Sequence, residues 1–328
     1  MIEDVLAQPH QIGDALWRVE AAGIAPRELP GGLVVAGMGG SAIGADLAAA
    51  AIGSRARAPV RVVRGYELPP DVGPDTLVLC SSYSGSTEET LACFEAAGEA
   101  GAPRVALTTG GPLAERARAA GVPVAGVPSG MQPRAAVVYM TVGALECAAA
   151  CGAAPSLRSE IEGAAEVLEA LATDSGADSI ARALEDTIPV VHGAGPTAAV
   201  ARRWKAQLNE NSKLPAFASE LPESNHNEIE GWRRGLDLAP LAAVFLHMDG
   251  LHPRLERRLE LTAERLDALG APVLRVDARG ETPVAQVMAL AMAGDLVSVS
   301  LAEIEDIDPT PVEAIEAFKA ALGRPDAA

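Results

Sequence analysis

The sequence predicts an α/β protein made of two doubly wound parallel-sheet subdomains related by duplication. Short apolar runs alternate with helical stretches from residue 33 onward, the spacing of βαβ crossovers. Two junctions, Leu33–Asp46 and Ile188–Thr197, repeat one plan: an apolar strand enters a Gly-rich turn and leaves as a helix. Thr76-Leu-Val-Leu-Cys80 reads as a buried strand that feeds a hydroxyl-rich turn and then a helix.

In chain order, residues 1–28 read as an N-terminal helical arm. The strand Leu33–Ala36 runs into Gly37-Met-Gly-Gly-Ser-Ala-Ile-Gly44, with a helix through Asp46–Ile52. That turn half resembles a dinucleotide fingerprint, which needs an acidic residue closing the next strand. The next strand, Val60–Arg64, ends instead in Arg64-Gly65 with Glu67 beyond, a poor match for NAD. Then follow the strand 76–80, a helix over about 88–101, a strand at Arg104–Leu107, a short helix near 112–120 and a strand within Val122–Val127. The loop Pro128–Arg134 precedes a helix over 135–151. Ligand sites in such sheets lie at the strand C-termini, so both Gly/Ser turns and the Arg134 loop are expected on one edge.

Gly152-Ala-Ala-Pro-Ser156 is the expected linker, dividing the chain into domains 1–152 and 153–328. Helices near 157–172 and 176–186 lead to the strand Ile188–His192 and a helix over about 197–213. Pro215–Glu220 reads as a short extended piece. Strands at Ala242–Leu246 and Pro272–Val276 and helices near 253–270, 283–302 and 311–322 complete the second copy. Its phosphate loop is degraded, because no S-x-S-G-x-T follows.

Composition bounds the function. Hydrophobic residues at 49% and charged residues at 21% are those of a soluble globular protein, and aromatics at 3% leave packing to Ala, Val and Leu. A net charge of −18 argues against nucleic acid or an anionic membrane as partner. It leaves room for a small anionic substrate, since a few local cations outweigh a distant surface. Cys80, Cys93, Cys147 and Cys151 form no C-x-x-C pair and read as buried free thiols of a reducing cytoplasm. No basic segment precedes an apolar stretch at the N-terminus, and no run of about 18 uncharged apolar residues suggests a membrane span.

Two stretches carry chemistry. In Cys80–Leu91, Ser81, Ser82, Ser84, Ser86 and Thr87 crowd the point where a strand meets a helix N-terminus. Free backbone N–H groups and the positive dipole end suit an anion there, and Gly85 permits close approach or a positive φ. The plainer alternative is a turn with Thr87 as an ordinary N-cap. In the second half, Asn209, Glu210, Asn211, Asn225, His226 and Asn227 are polar residues set among apolar ones. Such groups are costly to bury unless they bind or cap something. Glu210 suits a general base and His226 a proton carrier. The alternatives are a solvated helix-end carboxylate and a capping or core histidine. His247 and His252 read as loop residues, Lys319 as a cation favourable to its helix dipole. The scattered histidines lack ligand spacing, so no metal is expected.

Taken together these segments resemble the bifunctional phosphoglucose/phosphomannose isomerases, two-domain proteins of the flavodoxin-like sugar isomerase (SIS) fold. The resemblance rests on Gly37–Gly44, Ser82-Tyr-Ser-Gly-Ser-Thr-Glu-Glu-Thr90, Gln132-Pro-Arg134, Asn209-Glu-Asn211, His226-Asn-Glu-Ile-Glu-Gly-Trp232 and Asp308-Pro-Thr-Pro311 with Lys319. The S-x-S-G-x-T loop alone marks only the SIS fold; its combination with the spacing of 16 from Glu210 to His226 is far more specific. The resemblance implies that Ser41, Ser82, Ser84 and Thr87 cradle phosphate and sugar, with Gly40 allowing close backbone approach. It implies that Arg134 stabilises an enediolate, that Glu210 moves the proton between C1 and C2, and that His226 and Lys319 open the ring. In that family the histidine reaches in from the partner subunit, so a homodimer is implied. Ser86 stands where many relatives are expected to carry Asn.

The expected activity is therefore a cytoplasmic, cofactor-free and metal-independent isomerisation of glucose 6-phosphate, and of mannose 6-phosphate, with fructose 6-phosphate. One alternative is a non-catalytic SIS regulator that binds a sugar phosphate. It has no use for Glu210, His226 and Lys319 together, and the short acidic N-terminal arm does not suit a DNA-binding domain. A glucosamine phosphate synthase would need an N-terminal Cys nucleophile domain.

Overall fold

A computed structural model describes residues 1–323; residues 324–328, the end of the expected second domain, lie outside the described residues. The arm consists of α1 (Ile2–Leu6) and α2 (Gln8–Ala21). The first half follows with β1 (Gly32–Ala36), α3 (Gly39–Ile52), β2 (Val60–Val63), β3 (Thr76–Ser81), α4 (Glu88–Glu99), β4 (Arg104–Thr108), α5 (Gly111–Ala119), β5 (Val124–Gly126) and α6 (Val137–Ala150). Helices α7 (Arg158–Thr173) and α8 (Ala177–Leu184) lead into the second half. It comprises β6 (Ile188–Ala194), α9 (Pro196–Glu210), β7 (Phe217–Leu221), α10 (Glu228–Leu238), β8 (Leu241–His247), α11 (Pro253–Ala268), β9 (Val273–Asp277), α12 (Pro283–Ile304) and α13 (Glu313–Leu322).

Both sheets are parallel throughout, in the orders β2-β1-β3-β4-β5 and β7-β6-β8-β9. The first four strands of one follow the same connectivity as all four of the other, which is the expected duplication. Successive side chains leave a strand on opposite faces. Leu33, Val35, Leu77 and Leu79 accordingly join α2, α3 and α6 in the main core. Val34, Val78 and Cys80 join Phe94 of α4 and Leu113 of α5 in a smaller one. Both faces are covered, so the buried strand positions are mostly apolar, with Thr76, Ser81, Thr108, His192 and Ser219 as the polar exceptions.

The main core does not stop at the division between the halves. It runs through α3, α6, α9 and α12 into the second sheet. Within the expected linker, Ala153 and Ala154 are buried and the Ala153 carbonyl accepts from the Arg57 and Ala58 amides at 2.7 and 3.3 Å, so this connection is packed. Helix α12 lies at the centre, against α7, α8, α9 and α3. Among the described residues it alone is long and apolar enough to cross a membrane, but 89% of its most apolar window is buried inside the protein. Those residues are apolar because they are core. All four cysteines are buried and free.

Two local differences from the sequence expectations matter for the site. Helix α3 begins at Gly39, several residues before Asp46, so Gly40 and Ser41 lie in its first turn. The piece near 215–220 is a true edge strand, β7, paired with β6. In both places tertiary partners override weak local propensity.

Candidate active site

The hydroxyl turn after β3 is braced from within. Ser82 Oγ and Thr87 Oγ1 share a hydrogen bond at 2.8 Å, and Ser82 Oγ also accepts from the Gly85 amide at 3.1 Å. Gly85 has φ of +68°, and a Cβ there would lie 1.9 Å from the Gly110 carbonyl oxygen, so only glycine fits. Ser84 and Ser86 stand on the exposed rim, with Ser84 Oγ accepting from the Ser86 amide at 3.3 Å. Thr87 occupies the N-cap position but makes no side-chain cap; its hydroxyl is turned to Ser82 instead. The first amides of α4 therefore carry no side-chain partner from their own cap.

The second turn is fastened to the first. Ser41 Oγ accepts from the Tyr83 amide at 3.2 Å. Tyr83 in turn donates its hydroxyl to the Pro128 carbonyl at 3.1 Å and accepts from the Met131 amide at 3.0 Å, which pins the loop ahead of Arg134. A 3-10 turn over Pro133–Ala136 presents Arg134. A Cβ on Gly40 would sit 3.1 Å from both Arg134 Cα and the Pro133 oxygen, which makes Gly40 the point of close approach between α3 and this turn.

Arg134 is the meeting point of the two halves. Its side chain is 3% exposed. Nε donates to Asn211 Oδ1 at 2.6 Å, Nη2 to the Pro309 and Thr310 carbonyls at 2.6 and 3.1 Å, and Nη1 to Gln132 Oε1 at 3.4 Å. Nη1 also faces Glu210 Oε2 at 3.7 Å, and Glu210, the last residue of α9, remains 28% exposed. Burial pulls the guanidinium pKa down, and the Glu210 carboxylate opposes that pull. Lys213, in the left-handed region at φ +55°, donates Nζ to the Glu210, Pro311 and Pro309 carbonyls at 2.5, 2.7 and 3.3 Å. Burial and the neighbouring Arg134 lower its pKa. A positive cluster thus sits beside a carboxylate in a protein of net charge −18. Such a pair suits proton abstraction next to a developing oxyanion.

The structure therefore brings Gly40, Ser41, Ser82, Ser84, Thr87, Arg134 and Glu210 to one edge where the halves meet. His226 and Lys319 are not gathered with them in a single chain. His226 closes an exposed 3-10 turn, Glu223–His226, and Lys319 lies on the exposed α13; among the described residues neither makes a hydrogen bond or ion pair to the site. Lys319 is nonetheless tethered to it, because α13 follows directly on the 309–311 segment held by Arg134 and Lys213. His247 and His252 do more than occupy a loop. His247 Nδ1 lies 3.4 Å from Asp277, and His252 Nδ1 accepts from the Arg254 amide at 3.1 Å to cap α11. Their turn is the counterpart of the hydroxyl turn, down to Gly250 at φ +80°, but it carries Asp249 in place of serines and so repels an anion. Sequence reasoning gave no role to Lys213, Gln132 or the 309–311 carbonyls, and marked Asn211 only as a polar residue that must bind or cap something. Its place directly after the expected base was the signal for the contact it makes with Arg134.

Known proteins resemble this chain in sequence and in fold. Residues 173–322 match the family model for the bacterial phospho-glucose isomerase C-terminal SIS domain. A bifunctional phosphoglucose/phosphomannose isomerase of Aquifex aeolicus is 37% identical over 292 residues, 89% of this chain and 90% of its own. One from Caldicellulosiruptor bescii is 36% identical over 298 residues, 88% of each chain. Among solved structures, a hypothetical protein from Thermus thermophilus has the same fold, with a TM-score of 0.78 at 19% identity, covering 100% of this chain and 91% of its own. With relatives this similar over nearly the whole length, the chain belongs to the bifunctional phosphoglucose/phosphomannose isomerase family.

Proposed function

We propose that this chain interconverts glucose 6-phosphate, and mannose 6-phosphate, with fructose 6-phosphate through a cis-enediolate, in the cytoplasm and without a metal. The observation that carries the reading is the Glu210 carboxylate facing Arg134 Nη1 at 3.7 Å, one close contact away from the Gly40–Ser41 turn. Phosphate is held by Ser41, Ser82, Ser84 and Thr87 with the free amides of the α4 N-terminus. Anchoring the dianion fixes C1 and C2 beside the base. With the ring opened by His226 and Lys319, Glu210 removes the proton on C2 of the aldose and returns it to C1. Arg134 Nη1 donates to the enediolate oxygen while the charge lasts. The C2 proton passes to C1 and the O2 hydroxyl proton to O1, so atoms and electrons balance within the sugar and no redox cofactor enters. An exposed His226 on one chain suits delivery to the site of a second, which makes a homodimer the working assembly. The two catalytic halves correspond to domains 1–152 and 153–328.

The test is Glu210→Gln, which keeps shape and removes the base. Turnover in a coupled assay should fall by at least roughly 10³-fold with sugar-phosphate affinity little changed. Wild-type rates in that variant, or loss of wild-type activity in chelator, would refute the reading.

A further inference from the structure

The core around Arg134 contains more buried polarity than packing needs. Gln8, Asn211, Arg203, Asp295 and Ser298 are each no more than 2% exposed, and all belong to one connected network. A buried ion pair gives little net stability compared with apolar residues of the same volume. One such pair, joined by hydrogen bonds into a chain that ends on one guanidinium, calls for another explanation.

The network has two branches, both rooted on one face of α12. In the first, Asp295 Oδ1 accepts from Arg203 Nε at 2.9 Å, and Oδ2 accepts from Arg203 Nη2 at 2.9 Å and from Gln8 Nε2 at 2.8 Å. The remaining Nη2 hydrogen of Arg203 goes to the Arg134 carbonyl at 2.7 Å, which fixes the main chain of the 3-10 turn. In the second, Ser298 Oγ donates to the Asp295 carbonyl at 2.8 Å, so its lone pair is left to accept from Asn211 Nδ2 at 2.9 Å. That commits the Asn211 amide to one orientation, with Oδ1 turned to Arg134 Nε at 2.6 Å. One branch sets where Arg134 sits and the other sets the plane of its guanidinium.

We propose that Asp295, Ser298 and Asn211 are positioning residues of the isomerase: α12 acts as a clamp that aims Arg134 Nη1 at the oxygen opposite Glu210. This rests on the function proposed above. None of the three touches the reacting atoms; they act through Arg134. A preorganised donor is worth most when it need not reorient as charge develops, and a displacement of about 1 Å costs on the order of 10²-fold in rate.

The decisive experiment is a double-mutant cycle on kcat, with thermal unfolding of every variant followed in parallel. Ser298→Ala and Asn211→Ala should each lower kcat by roughly 10- to 100-fold with KM within about threefold. In an Arg134→Lys background, which has no Nε to aim, either substitution should cause no further loss of kcat. Losses that multiply in the double variants, or a fall in unfolding temperature with unchanged kcat, would overturn the proposal. Ser298→Ala removes a single oxygen and keeps the test open if Asn211→Ala does not fold. An inactive wild type would instead defeat the isomerase reading, and the clamp with it, whereas an active wild type with multiplying losses defeats the clamp alone.

Discussion

His192 stands on β6, 1% exposed, with neither ring nitrogen hydrogen-bonded. It stacks on Phe245 at 4.6 Å between ring centroids and lies 5.7 Å from Trp232. Burial alone pushes its pKa down from 6.5 to about 4. The neutral ring is therefore the folded form at neutral pH. As pH falls from 6.5 towards 4 the unfolded chain takes up a proton that the native chain refuses, and stability is lost across that window. The loss is on the order of a few kcal/mol. His192→Leu should be more acid-resistant, with the gap in unfolding temperature between variant and wild type moving in the variant's favour from about pH 7 to about pH 4.5. Parallel curves would show that the ring does not titrate this way.

At the scale of elements, α13 is the least secured. None of its residues is buried, and Ile315, Phe318 and Leu322 are 42%, 69% and 58% exposed. What holds it is the strap before it, through Arg134 Nη2 and Lys213 Nζ. Lys213→Met removes three carbonyl contacts and leaves the left-handed backbone in place. Amides of Thr310 and of residues 312–322 should then exchange faster with solvent, and kcat should fall by roughly 10-fold as Lys319 loses its station. Unchanged protection would mean that Arg134 alone secures the strap.

The elements were largely legible because continuous apolar runs and Gly turns mark buried parallel strands and their exits. Their alternation pointed to the sheets and the duplication. Residues at the strand C-termini could be placed on one edge by topology alone, which is why Ser41, Ser82, Thr87 and Arg134 meet as expected. What stayed hidden depends on tertiary pairing. Thr87 reads as a cap, but its hydroxyl is turned to Ser82. Asp295 lies in a long apolar run, and only the arrival of Arg203 and Gln8 makes a charge there tolerable. Glycine-rich Gly39–Gly40 looks too poor a helix former to open α3, yet the Arg134 turn packs against it.

At the scale of the whole molecule, the assembly decides whether the site is complete. If His226 serves the neighbouring chain, subunits carrying Glu210→Gln and subunits carrying His226→Ala complement each other. A mixed dimer then contains one fully intact site, because the intact Glu210 and the intact His226 meet across the interface. Equal mixing after reversible dissociation should restore about a quarter of wild-type activity, from half the dimers and one site in each. No recovery in a mixture shown to exchange subunits would place both residues in one chain.

The bond between Gln8 and Asp295 joins positions 287 residues apart. Synthesis proceeds from the N-terminus, so α2 waits for those 287 residues before that partner exists. The anchorage of Arg134 through Arg203 and Asp295 therefore comes only when α12 has emerged.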